Sequence, residues 1–231
     1  MALPYYVSPE QMMQDKAEYA RKGIARGKSI IVLEYADGMM LVAENPSASL
    51  NKISEIYDRI AFAGAGRYSE FENLRKAGIR YADLKGFAYD REDVTAKSLA
   101  NAYSQTIGNI FSEAMKPLEV DILVVEVADG GGLPNEVYRI AFDGSIYDEK
   151  GFAAIGGQAE EIRQHLKDKY QTGLDRKAAL RLAIQALEAV SSTKIESRSL
   201  EVAILERSRT GRKFRRLSQD DLTTILTDTE S

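Results

Sequence analysis

Two apolar runs joined by a tight turn set the strongest limit on what this chain can fold into. Ser29-Ile30-Ile31-Val32-Leu33-Glu34-Tyr35 and Met39-Met40-Leu41-Val42-Ala43 flank Ala36-Asp37-Gly38, a spacing that favours a hairpin. Neither run alternates apolar with polar residues, so both faces of these strands need cover. A hairpin makes the pair antiparallel and excludes a βαβ crossover between them. The sheet that holds them therefore lies between two other layers.

The second half repeats the plan. Val120-Asp121-Ile122-Leu123-Val124-Val125-Glu126-Val127 and Val137-Tyr138-Arg139-Ile140-Ala141-Phe142 read as strands, Asp143-Gly144 turns the chain, and residues 152–155 add a third. Residues 56–63, 200–205 and 213–217 read as further strands. Helices are predicted over 69–76, 94–115, 159–170 and 175–190. Leu99, Tyr103, Ile107, Ile110 and Ala114 share one face of the second of these, and Leu180, Ala183, Ile184 and Leu187 one face of the last. At the N-terminal side, Ser8-Pro9-Glu10 announces a helix by its cap, its first-turn proline and its acid. Met13, Ala17, Ala20 and Ile24 form its small-residue stripe, Glu18 and Lys22 an i,i+4 pair, and Gly27 its end. Ser218 caps a last helix with Asp220 and Asp221 in the first turn. The order implies an α+β fold: a four-layer αββα sandwich of two antiparallel sheets with an extra N-terminal helix.

Composition removes whole classes of chemistry. The 231 residues are 44% hydrophobic and 29% charged, ordinary for a globular chain. The net charge of −4 gives no general attraction for a polyanion, so nucleic acid is not an expected partner. No apolar run approaches the roughly 20 residues that span a bilayer, and the first residues lack a signal-peptide pattern. Cysteine is absent and His165 is the only histidine. Disulfides, thiolate metal sites, cysteine catalysis and multi-histidine metal sites are thereby excluded, no cofactor or metal is expected, and a cytoplasmic setting is expected. His165 lies in a charged helical stretch and reads as a solvated helix residue. Gly27-Lys28-Ser29 lacks the upstream glycine of a phosphate loop and precedes a strand. Gly156-Gly157-Gln158 reads as a tight strand-to-helix turn. The basic run 207–213 reads as a solvated hairpin around Thr210-Gly211.

The strings Pro4-Tyr5-Tyr6-Val7-Ser8-Pro9-Glu10-Gln11, Ala20-Arg21-Lys22-Gly23-Ile24-Ala25-Arg26, Val42-Ala43-Glu44-Asn45-Pro46-Ser47 and Lys52-Ile53-Ser54-Glu55-Ile56-Tyr57-Asp58-Arg59 carry a resemblance. So do Phe71-Glu72-Asn73-Leu74-Arg75, Tyr89-Asp90-Arg91-Glu92-Asp93-Val94 and Tyr138-Arg139-Ile140 with Asp143-Gly144-Ser145. In this order and spacing the chain resembles the α subunits of 20S proteasomes, most closely the actinobacterial type, from its first residues to about Leu226. The resemblance implies the Ntn-hydrolase fold in one α-type domain over 1–231: a gating tail (1–8), an N-terminal helix (8–26), the sandwich (28–226) and a polar tail (227–231). It implies a non-catalytic subunit that forms a seven-membered ring with itself and stacks on β subunits as α7β7β7α7. It also implies admission of tagged protein substrates and docking of a ring-shaped AAA ATPase, or an ATP-independent activator, through a C-terminal tail.

Catalytic β chains of that family start at a threonine whose free amine helps activate its hydroxyl. Here the matching strand start is Gly27-Lys28-Ser29-Ile30, preceded by a helix, so no catalytic residue is expected. By sequence alone these first residues read as a frayed terminus; the resemblance instead places Met1, Ala2, Leu3, Pro4, Tyr5, Tyr6, Val7 and Ser8 at a ring axis as a gate. It places Lys52 in a pocket that receives an activator's terminal carboxylate, with Gly66 on the facing wall where bare backbone permits close approach. A solvated surface lysine and a strand-end turn are the plain alternatives for these two.

Overall fold

Strand β1 (Ile30–Tyr35) sends Ile30 and Val32 into one apolar cluster and Ile31, Leu33 and Tyr35 into another. The computed structural model of the chain, which describes residues 8–47, 49–130, 134–191 and 194–227, therefore shows the two-sided burial its sequence demands. β1 pairs antiparallel with β2 (Gly38–Glu44) from Ile30 opposite Ala43 to Tyr35 opposite Gly38. Strands β3 (Ile53–Tyr57), β4 (Ile60–Gly66), β5 (Val120–Glu126), β6 (Glu136–Ile140) and β7 (Ile146–Glu149) form one sheet in sequence order. Strands β8 (Phe152–Ile155), β9 (Leu200–Glu206) and β10 (Phe214–Arg216) join β1 and β2 in the other, ordered β10-β9-β2-β1-β8. All pairings are antiparallel.

The sheets stack face to face around Ile30, Val32, Met39, Leu41, Ala63, Leu123, Val125 and Ala203. Helices α2 (Tyr68–Ala88) and α3 (Ala96–Glu113) cover the outer face of the β3–β7 sheet through Phe71, Leu74, Leu99, Tyr103 and Ile107. Helices α4 (Ala159–Lys169), α5 (Arg176–Ser191) and α6 (Gln219–Thr227) cover the other through Ile162, Leu166, Leu180, Ala183, Leu187 and Leu222. Each fully buried aliphatic side chain contributes about 1.5–3 kcal/mol. The result is the expected αββα sandwich.

Three local expectations need correction. Residues 56–63 hold parts of two strands, with a hairpin at Asp58-Arg59. That turn has no glycine, proline or asparagine to mark it; instead the Asp58 carbonyl accepts from Lys213 N at 2.8 Å and the Arg59 carbonyl from Val127 N at 3.1 Å. Helix α2 runs on to Ala88, through Gly78 and Gly86. Those glycines do not end the helix: a methyl at Gly78 would stand 1.8 Å from the Tyr103 hydroxyl, which donates to the Leu74 carbonyl at 3.0 Å. Strand β7 was not foreseen, because Ile146-Tyr147-Asp148-Glu149 is an exposed edge without an apolar face.

The N-terminal helix α1 (Pro9–Ala25) has Ser8 as its cap, accepting from Gln11 N at 3.2 Å, and the Glu18–Lys22 pair closes at 2.6 Å. Its buried face carries Ala20 and Ile24, which pack with Ala17, Phe111 and Phe142. Met13, the expected first member of the stripe, is 39% exposed, whereas Lys16 is 8% exposed. Lys16 faces the C-terminal end of α3, where Nζ donates to the carbonyls of Phe111 (3.1 Å) and Ser112 (3.4 Å). A cation there satisfies orphan carbonyls and the negative end of the helix dipole. Lys16→Met, which keeps the stem and removes the charge, is expected to lower unfolding stability by about 1–2 kcal/mol in urea titration; a change below about 0.3 kcal/mol contradicts this anchoring.

Candidate functional site at the helix-covered end of the sandwich

The starts of β1, β3, β5 and β9 and the ends of β2, β4 and β8 meet at one end of the sandwich, the end that α1 crosses. Here Glu201, at the start of β9, is a buried carboxylate between the sheets. It accepts from Asn45 Nδ2 at 2.6 Å, Lys52 N at 2.9 Å and Ile53 N at 3.1 Å, and also pairs with the Arg216 guanidinium. Arg216 in turn donates to the Ile53 carbonyl at 2.6 Å. A buried carboxylate with this many donors holds its surroundings rigidly. Lys52 is thus fixed through its own backbone, while its Lys52 carbonyl accepts from Gly64 N at 3.1 Å.

From that anchor the Lys52 side chain reaches the Lys28 carbonyl, Nζ to O 2.9 Å. Burial drives its pKa down to about 8; Glu201 and Glu44 oppose the shift and Lys28 adds to it. Lys28 itself pairs with Glu44 at 2.8 Å and lines a cavity of about 340 Å³ with Gly27, Ser29, Gly157, Gln158 and Leu187. Gly66 has φ +105°, and a methyl there would lie 2.0 Å from the Glu119 carbonyl oxygen. A methyl on Gly27 would lie 2.9 Å from Gly66 N. The Gly27-Lys28 segment therefore touches both Lys52 and the bare backbone of Gly66.

The sequence singled out Lys52 and Gly66 but gave no role to Glu201, Asn45, Lys28 or Glu44. Glu44-Asn45 stands in one of the quoted strings, yet only the register that sets Glu44 opposite Leu200 puts Glu201 beside Lys52. Residues 1–7 lie outside the described residues; Ser8 caps α1. Ser29 is 7% exposed, its Oγ 3.4 Å from Gln158 N, and its nitrogen is in the peptide bond to Lys28. His165 is half-buried rather than solvated, its Nε2 has no hydrogen-bond partner among the described residues, and burial lowers its pKa. Among the described residues no group of three acidic or histidine side chains is placed to hold a metal ion, and no helix is long and apolar enough to cross a membrane.

The lowered Lys52 pKa fixes a sign. Between pH 8 and the ordinary 10.5 the unfolded chain keeps the proton that the folded chain has lost. Stability from this group therefore rises with pH across that window, and the burden of the charged form is fully present below it. The pH slope of unfolding free energy between 8 and 10.5 is expected to be more positive in the wild type than in Lys52→Met; equal slopes contradict the shift.

A family model described as "Proteasome subunit" matches residues 24–205. "Proteasome subunit alpha" of Thermomonospora curvata is 53% identical over 232 residues, covering 99% of both chains. The protein of that name from Thermobifida fusca is 53% identical over 228 residues (98% of this chain, 91% of the relative), and that from Kineococcus radiotolerans 52% over 239 residues (99% and 100%). With two five-stranded antiparallel sheets and six α-helices among its described residues, α1 at their N-terminal end, the chain belongs to the proteasome subunit family and is one of its α-type members.

Proposed function

We propose that this chain is the non-catalytic, entry-controlling subunit of a 20S core particle. Seven copies form each outer ring, template the β rings of an α7β7β7α7 stack and admit tagged proteins for degradation by the β subunits in the cytoplasm. Residues 1–231 act as one domain, with 1–8 as the gate at the ring axis, 8–26 as the ring's upper helix, 28–226 as the sandwich and 227–231 as a polar tail.

One observation carries the non-catalytic part. Helix α1 is packed into the end of the sandwich through Ala20 and Ile24 and is stitched there beyond its last residue, Gly157 N donating to the Gly27 carbonyl at 3.1 Å. A segment integrated in this way is not a disposable leader, and without its removal Ser29 has no free amine to act as base. Assembly is supported by apolar side chains left uncovered at the end of α2: Leu84 is 70%, Tyr89 78% and Phe87 93% exposed. Such a cluster suits a partner surface.

Docking of an activator's terminal carboxylate is supported by the rigidly held, half-buried Lys52 ammonium. A carboxylate that displaces the Lys28 carbonyl exchanges a neutral acceptor for a charged one, a stronger bond in a partly dry site. The charged amine is the binding form, so docking weakens as pH rises through about 8. In the particle assembled with its β partner, Lys52→Ala is expected to abolish activator-stimulated protein degradation and leave short-peptide cleavage intact. Deleting residues 1–7 is expected to raise basal peptide turnover several-fold. Unchanged stimulated degradation removes Lys52 from the docking site, and unchanged basal turnover removes the tail from the gate.

A further inference from the structure

The stacking of β3 against β9, and of β5 and β6 against β8, aligns the two sheets so that the sandwich has two flanks. One flank is formed by the edge strands β3 and β10, the other by β7 and β8. Their charges are opposite.

On the β3–β10 flank a concavity of about 630 Å³ is lined by Arg75, Arg209, Arg212, Arg215 and Arg216, with Glu55 as its single acidic residue. Arg212 pairs with Glu55, Arg75 with Glu72 and Arg216 with Glu201. Among the described residues Arg215 pairs with Glu206 alone, at 3.6 Å, and its buried Nε has no hydrogen-bond partner. Glu206 and Glu72 are already shared with Arg176 and Lys76. Asp221, bonded to Ser218, is a fifth carboxylate within electrostatic reach of Arg215 and Arg176. Seven cations thus face five carboxylates, and Arg209 forms no ion pair among the described residues. In a chain of net charge −4 this flank is a local inversion of sign.

The β7–β8 flank is the complement. Glu34, Glu136, Asp148, Glu149 and Glu160 stand around Arg139, Lys150 and Arg163: Glu149 pairs with Arg139 at 2.9 Å, Asp148 with Lys150 at 2.8 Å and Glu160 with Arg163 at 2.6 Å. Glu136 and Glu34 act on Lys150 at longer range. β7 is also the exposed edge of its sheet, with Ile146 and Tyr147 uncovered. As a 4-residue strand carrying Asp148 and Glu149, this edge is guarded against strand addition, so a neighbour would meet it through side chains.

We propose that the two flanks are the halves of one repeating contact, the arginine flank of one copy seating on the acidic β7 edge of the next. The proposal rests on the ring reading above and assigns its faces. Because the halves lie on opposite sides of one sandwich, the contact is head-to-tail and each copy keeps one free half to continue the series, the geometry from which closed rings are built. A second copy is the favoured occupant because this chain itself carries the opposite charge on the matching pair of sheet edges. Complementary fields of this kind set the direction and partner of association, and like-charge contacts oppose the wrong one.

The test uses the full chain co-expressed with its β partner and follows ring-bearing particles by native mass and negative stain. Arg209 and Arg212 lie on the exposed β9–β10 turn, so Arg209→Glu with Arg212→Glu leaves the core untouched; circular dichroism checks the fold of each variant. Reversal of either flank alone (R209E/R212E, or E136K/D148K) is expected to lower particle yield at least about tenfold. A chain carrying all four changes is expected to regain most of it. Rings that survive a single-flank reversal, or a fourfold variant that recovers nothing, overturn the flank assignment while the ring reading stands. Failure of the wild-type chain to form rings overturns both.

Discussion

The Glu201 carboxylate is the interaction on which the candidate site depends. It starts in one sheet, at the head of β9, and collects donors from the loop after β2, from the head of β3 in the other sheet, and from Arg216 on β10. A charge buried to this degree is tolerable only when its lone pairs are filled. Filling them locks the sheets at one spacing at this end and gives Lys52 a fixed backbone. A lysine on a mobile loop would lose much of any carboxylate affinity to the entropy of ordering it. Here that ordering is done by the fold, and burial by the same neighbours leaves the ammonium underhydrated.

The same end is closed by α1. In an αββα sandwich the strand ends leave an opening between the sheets, and the chain fills it with a short apolar face, Ala20 and Ile24 meeting Phe111 and Phe142, and with Lys16 on the end of α3. Helix α1 is thereby part of the folded unit. One proposed consequence follows: no free amine arises at the head of β1.

Much of this was legible in the sequence, and the exceptions have physical reasons. The two-sided apolar runs gave the covered sheets, and Ser8-Pro9 and Ser218 gave helix starts that the hydrogen bonds reproduce. The β3–β4 hairpin was not legible, because tertiary bonds to Lys213 and Val127 stand in for turn residues. Helix α2 runs past its predicted end at Lys76 through Gly78, whose lack of a side chain makes room for the Tyr103 hydroxyl. Lys52 was found through its string, but Glu201, at the start of a strand about 150 residues away, carries no local signal. Only the register of β2 against β9 assigns it. The opposed flanks are likewise a property of sheet order: Arg212 and Asp148 are unremarkable surface residues until the topology puts them on opposite edges.

The central claim is that the protein is a wall and an entry rather than a protease, because α1 is a permanent part of the fold. Intact-mass analysis of the purified mature chain, with peptidase activity measured on the same sample, tests it most directly. The account predicts a chain that retains residues 9–25 and hydrolyses no peptide in the absence of a β partner. A mature form beginning at Ser29 that cleaves peptides unaided would contradict it.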